Sequence, residues 1–81
     1  MPSQDSRPVK VYGKPGCVQC KFTVRELEKL DVPYDYIDIT VNVVAEERIK
    51  SMGFTTLPVV ITPEAKWAGL KVDNIRRLRN G

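Results

Sequence analysis

Histidine is absent from this chain, and cysteine occurs only twice, at Cys17 and Cys20. A zinc site needs four ligands, so this donor set is incomplete unless carboxylates or a second subunit contribute. No spacing in the sequence points to such a set. No apolar run approaches the length of a membrane span. The residues before Pro8 are polar and lack the apolar stretch of a secretory signal. These absences predict a cytoplasmic protein without membrane association, in a compartment where a lasting structural disulfide is unusual. Aromatic residues are few and are not interleaved with a basic stripe, so nucleic acid is not an expected partner.

What is present suffices for one domain with a modest core. Of the 81 residues, 42% are apolar, which is ordinary for a folded chain and argues against disorder. Residues 8–81 form the expected domain and 1–7 a loose tail. The net charge is +3, with a cluster at Lys71, Arg76, Arg77 and Arg79. That cluster reads as a solvated helix face, one that would also steer an acidic protein partner.

Alternating residues from Pro8 to Tyr12 predict a first strand, and Gly13 to Gly16 a turn. From Cys17 onward, Cys20, Thr23, Val24, Leu27 and Leu30 recur at helical steps. Asp31-Val32-Pro33 ends that helix, because proline disfavours helical backbone in the residue before it. Tyr34 to Ile39 is a second strand, joined to the first by a crossover long enough for parallel pairing. Asn42 is placed to cap a helix over residues 43–52, with Ala45, Ile49 and Met52 inward and Gly53 as its stop. Pro58 opens a strand through Ile61, and residues 65–68 form its hairpin partner. A last helix over residues 73–79 turns Ile75 and Leu78 inward. The order is β-α-β-α-β-β-α, an α/β fold with a four-stranded mixed sheet and three flanking helices.

A strand, a Gly/Pro turn and a Cys-x-x-Cys at a helix start form the setting in which the motif reads as a redox dithiol. Unpaired N–H groups and the helix dipole would point at the Cys17 sulfur, with Lys14 and Lys21 adding charge. Thiols so placed commonly fall from about 8.5 to about 7 or below. Near neutral pH such a drop raises the thiolate fraction about eightfold. A Brønsted coefficient of about 0.45 lowers each thiolate's nucleophilicity about fivefold in return. Attack by Cys17 therefore gains less than about twofold from the shift alone. Cys17 is the expected nucleophile, and Cys20, one turn on and facing inward, the resolving thiol. Two plainer readings compete. A structural bridge across this spacing would stabilise by only about 2 kcal/mol and tie nothing distant together. Metal or cluster ligation would need a second copy of the chain.

The sequence resembles the thioredoxin-fold redoxins, and among them the NrdH-redoxins, which are glutaredoxin-like in sequence and thioredoxin-like in behaviour. The resemblance rests on Val11-Tyr12, Lys14-Pro15, Cys17-Val18-Gln19-Cys20-Lys21, Thr23, Asp38-Ile39-Thr40, Gly53-Phe54, Pro58-Val59-Val60 and Trp67-Ala68-Gly69. It implies a thioredoxin/glutaredoxin-like fold in which Pro58 is a cis-proline facing the active-site sulfurs. Base rates alone would make that bond trans. It further implies that the Leu57 backbone pairs with an extended substrate segment.

The activity implied is reduction of protein disulfides, with a class Ib ribonucleotide reductase as target. Thioredoxin reductase and NADPH would recycle a monomer that binds no cofactor or metal of its own. Glutaredoxins usually carry Gly-Gly and an acidic residue where this chain reads Trp67-Ala68-Gly69, and that pair holds the carboxylate of glutathione. Trp67, Gly69 and Asp73 match the NrdH pattern Trp-Ser-Gly-Phe-Arg-Pro-Asp, whereas Ala68, Leu70, Lys71 and Val72 depart from it. Lys71 keeps the family's positive charge but not the planar fork of arginine. Trp67 and Lys71 are thus candidates for contact with a partner, with core packing as the competing role for Trp67. The alternatives are a glutathione-dependent glutaredoxin, an iron–sulfur or zinc scaffold between two copies, and a binding module with idle cysteines.

Overall fold

Val9 and Val11 turn to one face of the first strand and Tyr12 to the other, and two separate apolar clusters follow from that alternation. The structure, a computed structural model, describes residues 9–80; the expected tail over 1–7 lies outside the described residues. In order, the elements are β1 (Val9–Gly13), α1 (Val18–Lys29), β2 (Tyr34–Asp38), α2 (Val43–Ser51), β3 (Val59–Ile61), β4 (Lys66–Ala68) and α3 (Val72–Asn80). The sheet order is β2-β1-β3-β4. β1 runs parallel to β2 and antiparallel to β3, and β3 pairs antiparallel with β4. This is the mixed sheet and element order expected from the sequence.

On one face Val9, Val11 and Val60 pack with Leu27 of α1, Ile75 of α3 and Trp67 of β4. On the other, Tyr12 and Val59 pack with Ala45 and Ile49 of α2. Each fully buried aliphatic side chain of this kind contributes about 1.5–3 kcal/mol, so α1 is held at Leu27, seven residues beyond Cys20.

Of the boundaries that differ from the expected ones, three bear on the packing around the site, while β2, β4 and α3 differ by a residue at one or both ends. Gly13 belongs to β1 rather than to the turn: it lies opposite Asp38, and its carbonyl accepts the Ile39 N–H at 3.0 Å. α1 ends by a left-handed cap at Asp31 (φ 57°) rather than through Pro33 alone. Val32 N–H bonds the Leu27 carbonyl at 2.9 Å, and Asp31 N–H the Glu28 carbonyl at 3.1 Å. Met52 is the C-cap of α2 and is 40% exposed, so it is not part of the buried stripe. Helical spacing continued past the last turn overstated its reach. The Asn42 cap stands as expected, its side-chain oxygen accepting the Ala45 N–H at 3.0 Å.

Thr23 is fully buried in α1, and its hydroxyl has no hydrogen-bond partner among the described residues. Burying an unsatisfied hydroxyl costs free energy that a methyl group of the same shape would not. Thr23→Val should therefore stabilise the protein by about 1 kcal/mol, raising the thermal midpoint by about 4–8 °C. An unchanged or lower midpoint in a melting experiment would show that the hydroxyl is satisfied, for example by a bound water.

Candidate active site

The turn after β1 decides where α1 begins. Gly16 adopts φ +80°, a left-handed backbone that glycine reaches at little cost, and Cys17 follows in extended geometry as the N-cap. Its Sγ accepts the backbone N–H of Cys20 at 3.1 Å, the bond a serine or aspartate oxygen makes at ordinary caps. No acidic residue stands in the first turn of α1. The sulfur is thus the one side-chain acceptor the cap supplies to the positive end of this helix.

Cys17 and Cys20 are joined as a disulfide, with their Cα atoms 5.2 Å apart. They are unequal in exposure: Cys17 is half-buried, while Cys20 is only 1% exposed. Lys14 and Lys21 are exposed on either side, and the Lys14 carbonyl accepts the Cys17 N–H at 3.4 Å. Among the described residues no group of three or more His, Cys, Asp or Glu is placed to hold a metal ion.

Two loops distant in sequence are stitched to this helix start. The Leu57–Pro58 bond is cis, and the Pro58 ring is fully buried. The Pro58 carbonyl accepts the Gly69 N–H at 2.7 Å. The next amide, Leu70 N–H, donates to Gln19 Oε1 at 3.3 Å. The chain between the cysteines, the β4–α3 turn and the proline therefore form one connected unit. Leu57 is half-buried against the α2-side cluster, and Lys71 is exposed. Trp67 is buried in the cluster between α1 and α3, 7% exposed, with its indole N–H unpartnered among the described residues. Of its two candidate roles, this location is that of core packing.

Three contributors were not legible as such in the sequence. Gln19 carries the bond between the cysteine turn and the 69–70 turn, and its place inside the motif was the available signal. Gly13 and Tyr36 have a steric relation that no spacing reveals. A Cβ on Gly13 would collide with the Tyr36 hydroxyl and would stand 2.8 Å from Cys20 Sγ. The phenol and the buried sulfur thus share the space above Gly13. Burial, and secondarily the Asp38 carboxylate, push the Tyr36 hydroxyl above the ordinary tyrosine range. Tyr34, on the same strand, is pushed up to about 12 by burial and by its bond to Glu28, whose carboxylate accepts at 2.7 Å.

The glutaredoxin family model matches residues 9–64. The glutaredoxin-like protein NrdH of Escherichia coli (strain K12) is 34% identical over 70 residues, covering 86% of each chain. The chain belongs to the glutaredoxin family, among the NrdH-redoxins. The NrdH protein of Lactococcus lactis subsp. lactis (strain IL1403) is 29% identical over 70 residues, covering 86% of this chain and 97% of that one. The solved NrdH-redoxin from Escherichia coli superposes with a TM-score of 0.85 at 34% identity, over 86% of this chain and 92% of the other. A glutaredoxin from Archaeoglobus fulgidus superposes at 0.77 with 25% identity, over 96% and 91%. As an NrdH-redoxin the protein is a thiol oxidoreductase with its Cys-x-x-Cys at Cys17 and Cys20, which accounts for the helix-capping sulfur.

Because the Gln19 bond spans an exposed turn, its loss should loosen that turn without unfolding the redoxin. Gln19→Ala should speed amide exchange at Leu70 by up to about tenfold, the worth of one ordinary hydrogen bond. Exchange in the centre of β1 should stay unchanged. Equal protection of Leu70 in both proteins would show that the bond carries no restraint.

Proposed function

We propose that this protein is a dithiol electron donor in which Cys17 attacks a partner's disulfide and Cys20 resolves the product. The observation that carries the reading is the unequal exposure of two bonded sulfurs at a helix N-terminus. In the reduced protein the Cys20 N–H is placed to donate to the Cys17 thiolate, and a donor there favours the charged form. Its electron pair attacks one sulfur of the partner's disulfide, and the other sulfur leaves with the bonding pair and takes a proton. Cys20 then gives up its proton and attacks Cys17 Sγ. The bond between Cys17 and the partner breaks, the pair goes to the partner's sulfur, and two electrons have passed.

Leu57 and cis-Pro58 supply the partner-binding edge in this proposal, an extended segment pairing with the Leu57 backbone. Gly69 and Lys71 lie on the turn that the Pro58 carbonyl and Gln19 tie down. The target is a protein disulfide, by resemblance that of a class Ib ribonucleotide reductase. The reductant is thioredoxin reductase with NADPH, acting in the cytoplasm on a monomer that holds no cofactor. Two observations favour this recycling over glutathione: the Escherichia coli relative is described as having a thioredoxin-like activity profile, and Ala68-Gly69 stands in place of the glycine pair.

The test is a trapping experiment. Cys20→Ser should accumulate a mixed disulfide with substrate, Cys17→Ser should form none, and either change should reduce disulfide turnover to background. Trapping by Cys17→Ser instead would reverse the assignment. Thioredoxin reductase with NADPH should turn the protein over, whereas efficient turnover by glutathione and its reductase would favour a glutaredoxin activity. In the reduced protein, alkylation of Cys17 should reach half its maximum below about pH 8.5, the ordinary thiol value.

A further inference from the structure

The buried sulfur of Cys20 has an electrostatic difficulty that the exposed one does not. A thiolate at a site 1% exposed loses its hydration, which burial alone makes unfavourable. Cys17 is served by the cap N–H, but that donor is the amide of Cys20 itself and is directed at the other sulfur. A donor for Cys20 must come from another element.

The groove between α1 and β2 has Cys20 in its wall, with Lys21, Arg25 and Glu28 from the helix and Tyr34 and Tyr36 from the strand. Lys21 and Arg25 are exposed at its rim. The Tyr34 hydroxyl is committed to Glu28. The Tyr36 hydroxyl is different, because the register of β1 and β2 places Val11 opposite Tyr36 and Gly13 one pleat further on. With no side chain on Gly13, the phenol lies over that residue, and its Cζ would be 2.9 Å from a Cβ there. Cys20 Sγ borders the same point at 2.8 Å. The phenol keeps its proton at neutral pH, since burial and Asp38 both raise it. It is therefore a hydrogen-bond donor and not a base.

We infer that the Tyr36 hydroxyl donates a hydrogen bond to the Cys20 thiolate as it forms, which makes Tyr36 a positioning residue for the resolving step. The inference rests on the reading of Cys20 as the resolving thiol. Tyr36 exchanges no net proton. Cys20 loses its proton to solvent at the groove, and its electron pair attacks Cys17 Sγ. The displaced partner sulfur takes a proton from solvent in turn.

Tyr36→Phe tests this cleanly, because the ring and every charge around the groove remain and only the hydroxyl is lost. Tyr36 is 43% exposed, so folding should be preserved. In a Cys17→Ser background, the Cys20 Cβ chemical shift should be followed against pH. Loss of the donor should lower the thiolate population near neutral pH by about tenfold.

In the otherwise native chain, a mixed disulfide of Cys17 with thionitrobenzoate should release its coloured thiol about threefold more slowly. The release effect is smaller because a less stabilised thiolate is more nucleophilic. The deficit should shrink as pH rises and reverse, to about threefold faster release by Tyr36→Phe, once Cys20 is ionised in both proteins, a signature that a mere packing role would not give. Coincident Cys20 titrations, or equal release rates at every pH, would overturn the inference. Failure of the underlying reading looks different. The native mixed disulfide would then persist as long as that of Cys20→Ser, while the Cys20 titration would still report on the phenol.

Discussion

A single amide donating to a sulfur underlies the chemistry of this protein. The Cys20 N–H reaches Cys17 Sγ across the first turn of α1, where other helices place an oxygen acceptor. That bond exists only if the helix starts at residue 18 and the preceding turn delivers Cys17 in extended geometry. It makes one cysteine of the dithiol also the end of a structural element, so the dithiol and the helix start cannot be placed independently. A thiolate there compensates the positive helix end that no acidic residue in the first turn offsets.

The sheet exists around this requirement. β1 lies between β2 and β3 and is buried on both faces, so the turn that leaves it is anchored by an interior strand. Leu27 then fixes the rotation of α1 about its axis, which puts Cys20 inward and Cys17 toward solvent. The inequality of the two thiols is thus a consequence of core packing three and seven residues away from the motif.

Around the helix start, the site is completed by backbone from two turns and by the Gln19 side chain of α1. The Pro58 carbonyl and Gln19 hold two consecutive amides of the β4–α3 turn, at Gly69 and Leu70. Both amides are thereby committed to contacts within the protein. Tyr36 and Gly13 lie beside the Cys20 sulfur. There a missing side chain admits an aromatic ring from the neighbouring strand. The buried sulfur accordingly lies between two strands and a helix, each supplying something different to it.

Composition, periodicity and the Cys-x-x-Cys spacing determined the element order, the single dithiol, the Asn42 cap and the core at Leu27, Ile49 and Ile75. Those features depend on residues close in sequence or on one helix face, where local physics is sufficient. Tertiary structure alone decided the exposure of Met52, the burial of Trp67, the Gln19–Leu70 bond and the meeting of Tyr36 with Cys20 over Gly13. The last of these depends on which strands are neighbours and in what register, the others on how helices and turns pack against the sheet. A chain read one residue at a time does not contain that register, because pairing joins residues dozens of positions apart.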